Sequence, residues 1–278
     1  MRAALASLLP LLVPLLAPAA EPAKYEVEVH ENIKYRTDKE ADKTRHALDV
    51  YVPKGAKDFP VLFFVHGGAW KIGSKEYVAG AARRFAASGI GVVCPNYRLS
   101  PKVKHPAHVE DVAKAFAWTV DTVGKYGGDA KRIVVGGHSA GGHLAALLAT
   151  DAAYLKAEKK AASDIRGVFG VSGVYAIDAK VKLFHDVFGD DERVCKAASP
   201  QEHASAASPP MLLAYGDEDF VGLPAGAEAF AKALTKAKGE AAAKEYKKRT
   251  HMTILTDMAK ADDPLFADAR EFILRVTK

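Results

Sequence analysis

Apolar residues fall along this chain in two kinds of stretch, and the two alternate. Short unbroken runs occur at Val61-Leu62-Phe63-Phe64-Val65, residues 90–94, Ile133-Val134-Val135, and residues 167–171 and 211–215. Their length suits strands buried on both faces. Longer mixed stretches at 77–87, 109 to about 126, 225–237 and 263–277 read as helices. Two earlier runs, 25–29 and 47–52, flank a polar turn around 38–43 and predict an antiparallel start, while 244–249 alternate as an exposed edge strand does. Such alternation predicts an α/β fold: eight strands in a mostly parallel sheet, with helices on both faces. Ligands of open α/β sheets bind beyond the carboxyl ends of the strands. Only residues 174–208 break the alternation, and they are predicted to form a short cap insertion. Within it, Phe184 and Phe188 either line a pocket or form the packed face of a small helix.

The strand ends carry the chemistry. Gly137-His138-Ser139-Ala140-Gly141 follows one apolar run directly and precedes the helix-like stretch from His143 to Ala149. A G-x-S-x-G pentapeptide in that context reads as a nucleophile elbow, a sharp strand-to-helix turn that forces the serine outward. As a bare pattern it also fits a Gly-rich turn whose serine caps a helix. Upstream, Val65 runs into His66-Gly67-Gly68-Ala69-Trp70, where glycines let bare backbone approach a reacting group. Amides of Gly67, Gly68 or Ala69, with that of Ala140, are candidates for an oxyanion hole. Trp70 beside them is either an aromatic wall or core packing. Downstream, the run 210–215 ends in Gly216-Asp217-Glu218-Asp219, and the edge strand ends at Thr250-His251. A serine needs a base, and that base needs an orienting acid. Ser139, Asp219 and His251 supply these in the order Ser, Asp, His. His138 and His143 precede the acid, so neither fits the base.

Together these residues resemble the α/β-hydrolase esterases of the hormone-sensitive-lipase-like and feruloyl-esterase-like group, which carry an HGG-x-W oxyanion loop. The resemblance rests on His66-Gly67-Gly68-Ala69-Trp70, Asn96-Tyr97-Arg98-Leu99-Ser100-Pro101, Gly137 to Gly142, Gly216-Asp217-Glu218-Asp219 and His251. It implies the α/β-hydrolase fold and a Ser139–His251–Asp219 triad working without cofactor or metal. It also places the acid three residues after Gly216, hence Asp219 with Asp217 as a turn residue, and gives Asn96, Tyr97 and Arg98 a supporting role. Ala69 stands where the lipase branch has a third glycine, which leaves the substrate open. The expected activity is a serine carboxylesterase acting on short-acyl or aromatic small-molecule esters. An arylformamidase-like amide hydrolase, or a non-catalytic binding protein on the same scaffold, are the alternatives.

Composition trims this picture. An apolar content of 49% over 278 residues suits one large catalytic domain. The formal charge of +5 is mild and mixed in sign, and without a clustered recognition motif it predicts no nucleic-acid partner. Met1-Arg2 followed by an apolar stretch to Leu16 and by Ala17-Pro18-Ala19 reads as a signal peptide over residues 1–20. That leaves a catalytic domain at 21–278, secreted or periplasmic, with no stable membrane insertion after cleavage. Cys94 and Cys195, the two cysteines, are expected to be separate thiols. The ten histidines show no metal-binding spacing.

Overall fold

The computed structural model describes residues 25–278; the signal peptide expected at 1–20 lies outside the described residues. In chain order the elements are β1 (Val27–Lys34), β2 (Ala47–Pro53), β3 (Phe59–Val65), α1 (Ala79–Ala87), β4 (Gly91–Pro95), α2 (Ala107–Thr122), β5 (Gly128–His138), α3 (Ala140–Thr150) and α4 (Ala152–Ala157). They continue with β6 (Gly167–Val171), α5 (Lys182–Phe188), α6 (Glu192–Ala197), β7 (Met211–Glu218), α7 (Leu223–Lys236), β8 (Ala241–Thr250), α8 (Thr253–Thr256) and α9 (Pro264–Val276). The strands form one eight-stranded sheet in the order β1-β2-β4-β3-β5-β6-β7-β8. β2 runs antiparallel to both neighbours, and the pairs from β4–β3 to β7–β8 are parallel. The architecture is the one the apolar rhythm predicts.

The period of two explains why the central strands are apolar throughout. In β3, Val61, Phe63 and Val65 enter one core with α2, α3 and α7, while Leu62 and Phe64 enter the other with α1 and α9. Ile133 and Val135 of β5 face the first core, and Val134 faces the second. A strand with both faces covered has no polar side, so its sequence shows a run rather than an alternation. The sheet also separates the cysteines: Cys94 packs in the second core and Cys195 in the first, both as buried free thiols.

Several boundaries differ from the sequence reading: β1 runs on to Lys34 rather than 29, β5 begins at Gly128, well ahead of its apolar run, and β7 runs on to Glu218 rather than 215. β8 begins at Ala241, not at 244, because Ala241, Ala242 and Ala243 pair in register with Met211, Leu212 and Leu213 of β7. Alanine has little strand preference of its own, and tertiary pairing overrides that. The irregular stretch 174–208 holds two short helices, α5 and α6.

Candidate active site

Ser139 sits between β5 and α3 with φ 56° and ψ −120°, a backbone conformation that costs a non-glycine residue energy and persists only where surroundings enforce it. Here the Ser139 amide donates to Val171 O of β6 at 2.8 Å. Neighbouring glycines are required by space: a Cβ on Gly141 would lie 2.1 Å from Val65 O, and one on Gly137 would lie 2.4 Å from the Gly141 carbonyl carbon. The serine is thus held at the carboxyl end of the sheet above the start of α3, whose helix dipole favours negative charge there.

Three loops bring the predicted residues together. His251 follows β8 and is 6% exposed. Its Nε2 lies 3.0 Å from Ser139 Oγ, and its Nδ1 lies 2.7 Å from Asp219 Oδ1. Asp219 also accepts the Phe220 amide at 2.8 Å on Oδ1 and the Ser172 hydroxyl on Oδ2. Burial raises the cost of its charge, but hydrogen bonds from His251, Ser172 and Phe220 outweigh that and hold its carboxyl below the ordinary range. Asp217 is exposed and accepts the Arg249 amide at 3.1 Å; it is not the turn residue expected, because β7 runs on to Glu218, with an irregularity in its pairing to β8 between Gly216 and Glu218. His138 points away from the serine: its Nε2–H donates to His251 O at 2.7 Å. Burial, then the neighbouring His251, lower its pKa to about 4, so it stays neutral as a support for the base. The Phe220 ring stacks over the His251 imidazole with centroids 4.2 Å apart.

The oxyanion-loop candidates occupy a tight left-handed turn. Gly68, Ala69 and Trp70 have φ of 118°, 50° and 59°, and Lys71 and Ile72 both donate to Gly68 O. A Cβ on Gly68 would lie 2.1 Å from Ile72 O, and one on Gly67 would lie 2.8 Å from His138 O, so the loop presses on the elbow. Ala69, where the resembled lipase branch has glycine, adopts a glycine-like φ and forms part of the cavity wall beside Ser139. Tyr97 supports the loop as expected: its hydroxyl donates to His66 O at 3.2 Å and its ring stacks on His66. Asn96 Oδ1 accepts the Lys75 amide, and Arg98 pairs with Asp111.

The cavity at Ser139 encloses about 410 Å³, with Trp70, Tyr175, Phe184 and Phe220 among its lining residues. Phe188 does not line it: the pocket-lining role is ruled out and the other reading, the packed face of a small helix, holds. It is 5% exposed and stacks behind Trp70, edge to face at 5.0 Å, against His105 and His143. Phe184 and Phe188, one turn apart, share a face of α5 and both meet Trp70, with Phe184 reaching the cavity and Phe188 sitting deeper. Trp70 itself is nearly buried, and its Nε1–H donates to His143 Nδ1 at 3.2 Å. Sequence reasoning missed Ser172, at φ 49° directly after β6 and 1% exposed. Its signal was the carboxyl-end rule that found the others. It also missed the wall formed by Phe220, Val221, Gly222, Leu223 and Gly226, announced only by an apolar doublet just after the acid. Among the described residues no group of three or more His, Cys, Asp or Glu is placed to hold a metal ion.

The family model BD-FAE matches residues 48–234. Among curated proteins, the chain is 33% identical over 236 residues to a probable isoprenylcysteine alpha-carbonyl methylesterase of Oryza sativa subsp. japonica, covering 77% of this chain and 56% of that one. It is 35% identical over 201 residues to esterase LipC of Mycobacterium tuberculosis, covering 65% of this chain and 50% of that one. The chain thus spans about half the length of the curated relatives it matches. Among solved structures, a truncated carbohydrate esterase from gut microbiota superposes with TM-score 0.76 at 20% identity, over 92% of this chain and 99% of that one. The carboxylesterase EstE1, cloned from a metagenomic library, gives 0.74 at 22%, over 93% and 92%. These likenesses establish the α/β-hydrolase fold.

Proposed function

The chain belongs to the BD-FAE family, and from that premise we propose that it is a serine carboxylesterase acting on small-molecule esters by way of an acyl-enzyme. The observation that carries the reading is the unbroken contact Asp219–His251–Ser139, at 2.7 and 3.0 Å. His251 Nδ1–H is held by Asp219, which leaves Nε2 free to take the serine proton. Ser139 Oγ attacks the ester carbonyl, and the developing oxyanion lies against the amides of Ala140 and of the Gly68–Ala69 turn. His251 then passes its proton to the leaving alcohol. Water deprotonated by His251 attacks the acyl-enzyme, and collapse of the second tetrahedral species releases the acid and Ser139. A silent binding protein would have no need to keep a strained serine within 3.0 Å of an oriented base. The leader read at residues 1–20 supports export, which N-terminal sequencing of secreted material tests.

The deciding experiment is hydrolysis of p-nitrophenyl butyrate by the wild type and by Ser139→Ala, alongside fluorophosphonate labelling with the adduct mapped by mass spectrometry. We expect loss of kcat on the order of 10⁶ in the variant, with the adduct on Ser139. Turnover within tenfold of wild type by a folded Ser139→Ala, or a label elsewhere, would refute the mechanism.

A further inference from the structure

The cavity wall carries more information than its volume. Four aromatic rings, Trp70, Tyr175, Phe184 and Phe220, contribute to it, and Asp178 is its one charged side chain among the described residues. Asp178 is exposed, and its Oδ1 accepts the Lys180 amide at 2.8 Å. It belongs to no ion pair among the described residues, so its charge is not cancelled at short range. Lys180 and Lys182, the nearest cations along the chain, are exposed and outside the wall. A carboxylate at the mouth of this pocket attracts a positive group through the Coulomb term. An anionic group meets the opposite. The low-dielectric aromatic wall strengthens the discrimination relative to open surface.

We propose that this cavity selects esters by charge, favouring those that carry an ammonium group near the scissile carbonyl over neutral and carboxylate-bearing ones, with Asp178 as the specificity-determining residue. The inference rests on the serine-esterase reading and adds the substrate class. Ester hydrolysis itself is unaltered: Ser139 takes the acyl group and the alcohol leaves with the proton from His251. Asp178 acts only on binding, through the charge carried beyond the reacting atoms.

Two matched substrate sets test this at low ionic strength. In the first the alcohol varies: acetylcholine, its neutral analogue with carbon in place of the ammonium nitrogen, and the acetate ester of a hydroxypropanoate. In the second the acyl group varies in the same three ways, as p-nitrophenyl esters of trimethylammoniobutyrate, its tert-butyl isostere and monoglutarate. For each enzyme, kcat/KM of the charged ester is divided by that of its neutral partner, so that any general change in activity cancels. In at least one set the wild type should favour the cation about fivefold and disfavour the anion by about the same factor. Asp178→Asn should bring both ratios toward one, and Asp178→Lys should invert them. Approaching 1 M salt should flatten the wild-type ratios, since the screening length shrinks to about 3 Å. The set that responds identifies which half of the ester occupies the cavity. Ratios in both sets that are the same for wild type, Asp178→Asn and Asp178→Lys would overturn the proposal while leaving the esterase reading standing. Neutral esters left untouched, or turned over equally by Ser139→Ala, would bring down that reading and this proposal with it.

Discussion

Each residue at the site is defined by what its hydrogen bonds leave free. Asp219 and Asp217 are two positions apart at the end of the same strand, yet only the first reaches His251. The second is spent on the Arg249 amide. Asp219→Asn should therefore lower kcat by about 10⁴, the scale at which loss of the orienting carboxylate acts, while Asp217→Asn should stay within a few-fold. Greater damage from Asp217→Asn at saturating substrate would reverse the assignment. Ser172 works through Asp219. Its hydroxyl ties down Oδ2 and helps keep the carboxyl ionised, and a hydrogen bond to a charged group contributes about 1.5–3 kcal/mol. Ser172→Ala and Ser172→Gly both remove that hydroxyl, but only glycine relieves the left-handed φ of 49°. If the hydroxyl is what matters, both variants should lose about tenfold or more in kcat/KM. Their loss should deepen toward acid, because an Asp219 with a raised pKa is protonated sooner as pH falls. A glycine variant with wild-type activity and an unchanged pH profile would mean that Ser172 serves only the backbone. The sequence made Ser139, Asp219 and His251 legible because each sits at the carboxyl end of a recognisable strand. Ser172 obeys the same rule, but its short side chain in a Ser-Gly pair reads equally well as a plain turn. Phe188 was legible as apolar and not as inward-facing, since α5 is only seven residues long, too short for a periodic face to show.

Among the elements, legibility followed burial. Strands covered on both sides announce themselves as apolar runs, so β3, β4 and β6 were readable to within two residues at either end. β8, exposed along much of its length, takes its first residues from pairing with β7, which no local pattern encodes. The cap is the extreme case: α5 and α6 exist because Val187, Phe188 and Cys195 find the first core, a tertiary fact. This cap also sets an expected limit on substrate length. It and the Phe220–Gly226 segment close a cavity of about 410 Å³, at the small end of ligand pockets. Its helices of seven and six residues offer no long amphipathic face to open on a lipid surface. Butyrate should exceed palmitate in kcat/KM by about tenfold or more when both are presented as p-nitrophenyl esters. No jump in rate should accompany the appearance of an emulsified interface. Faster turnover of palmitate, or interfacial activation, would show that the cap moves aside as a lid.

At the scale of the whole molecule, the same packing that orients the site makes the fold sensitive to acid. His66, His105, His108 and His138 have pKa values lowered to about 4, and His143 to about 3, in each case chiefly by burial. Each is neutral in the fold, whereas in the unfolded chain each takes up a proton near pH 6.5. Above that pH neither state gains a proton, and the stability they contribute is fully present. As pH falls the unfolded state binds protons that the folded state refuses, so stability is lost progressively between about pH 6.5 and pH 4. At about pH 5 the loss is on the order of 1–2 kcal/mol for each histidine, and because His105, His108 and His143 act on one another's protonation the contributions do not simply add. Against the 5–15 kcal/mol typical of an entire domain, the protein should therefore be markedly less stable near pH 5 than at pH 8. Urea titrations at pH 8 and at about pH 5.5 should show a fall of several kcal/mol with an unchanged m value. His143→Gln can keep the acceptor for Trp70 Nε1 and the donor to Ala198 O that His143 provides, so it should lower stability at pH 8 and yet flatten the dependence on pH. Stability that is constant from pH 8 to 5.5 would mean that these imidazoles are protonated within the fold, and a variant as acid-sensitive as the wild type would exclude His143 from the effect.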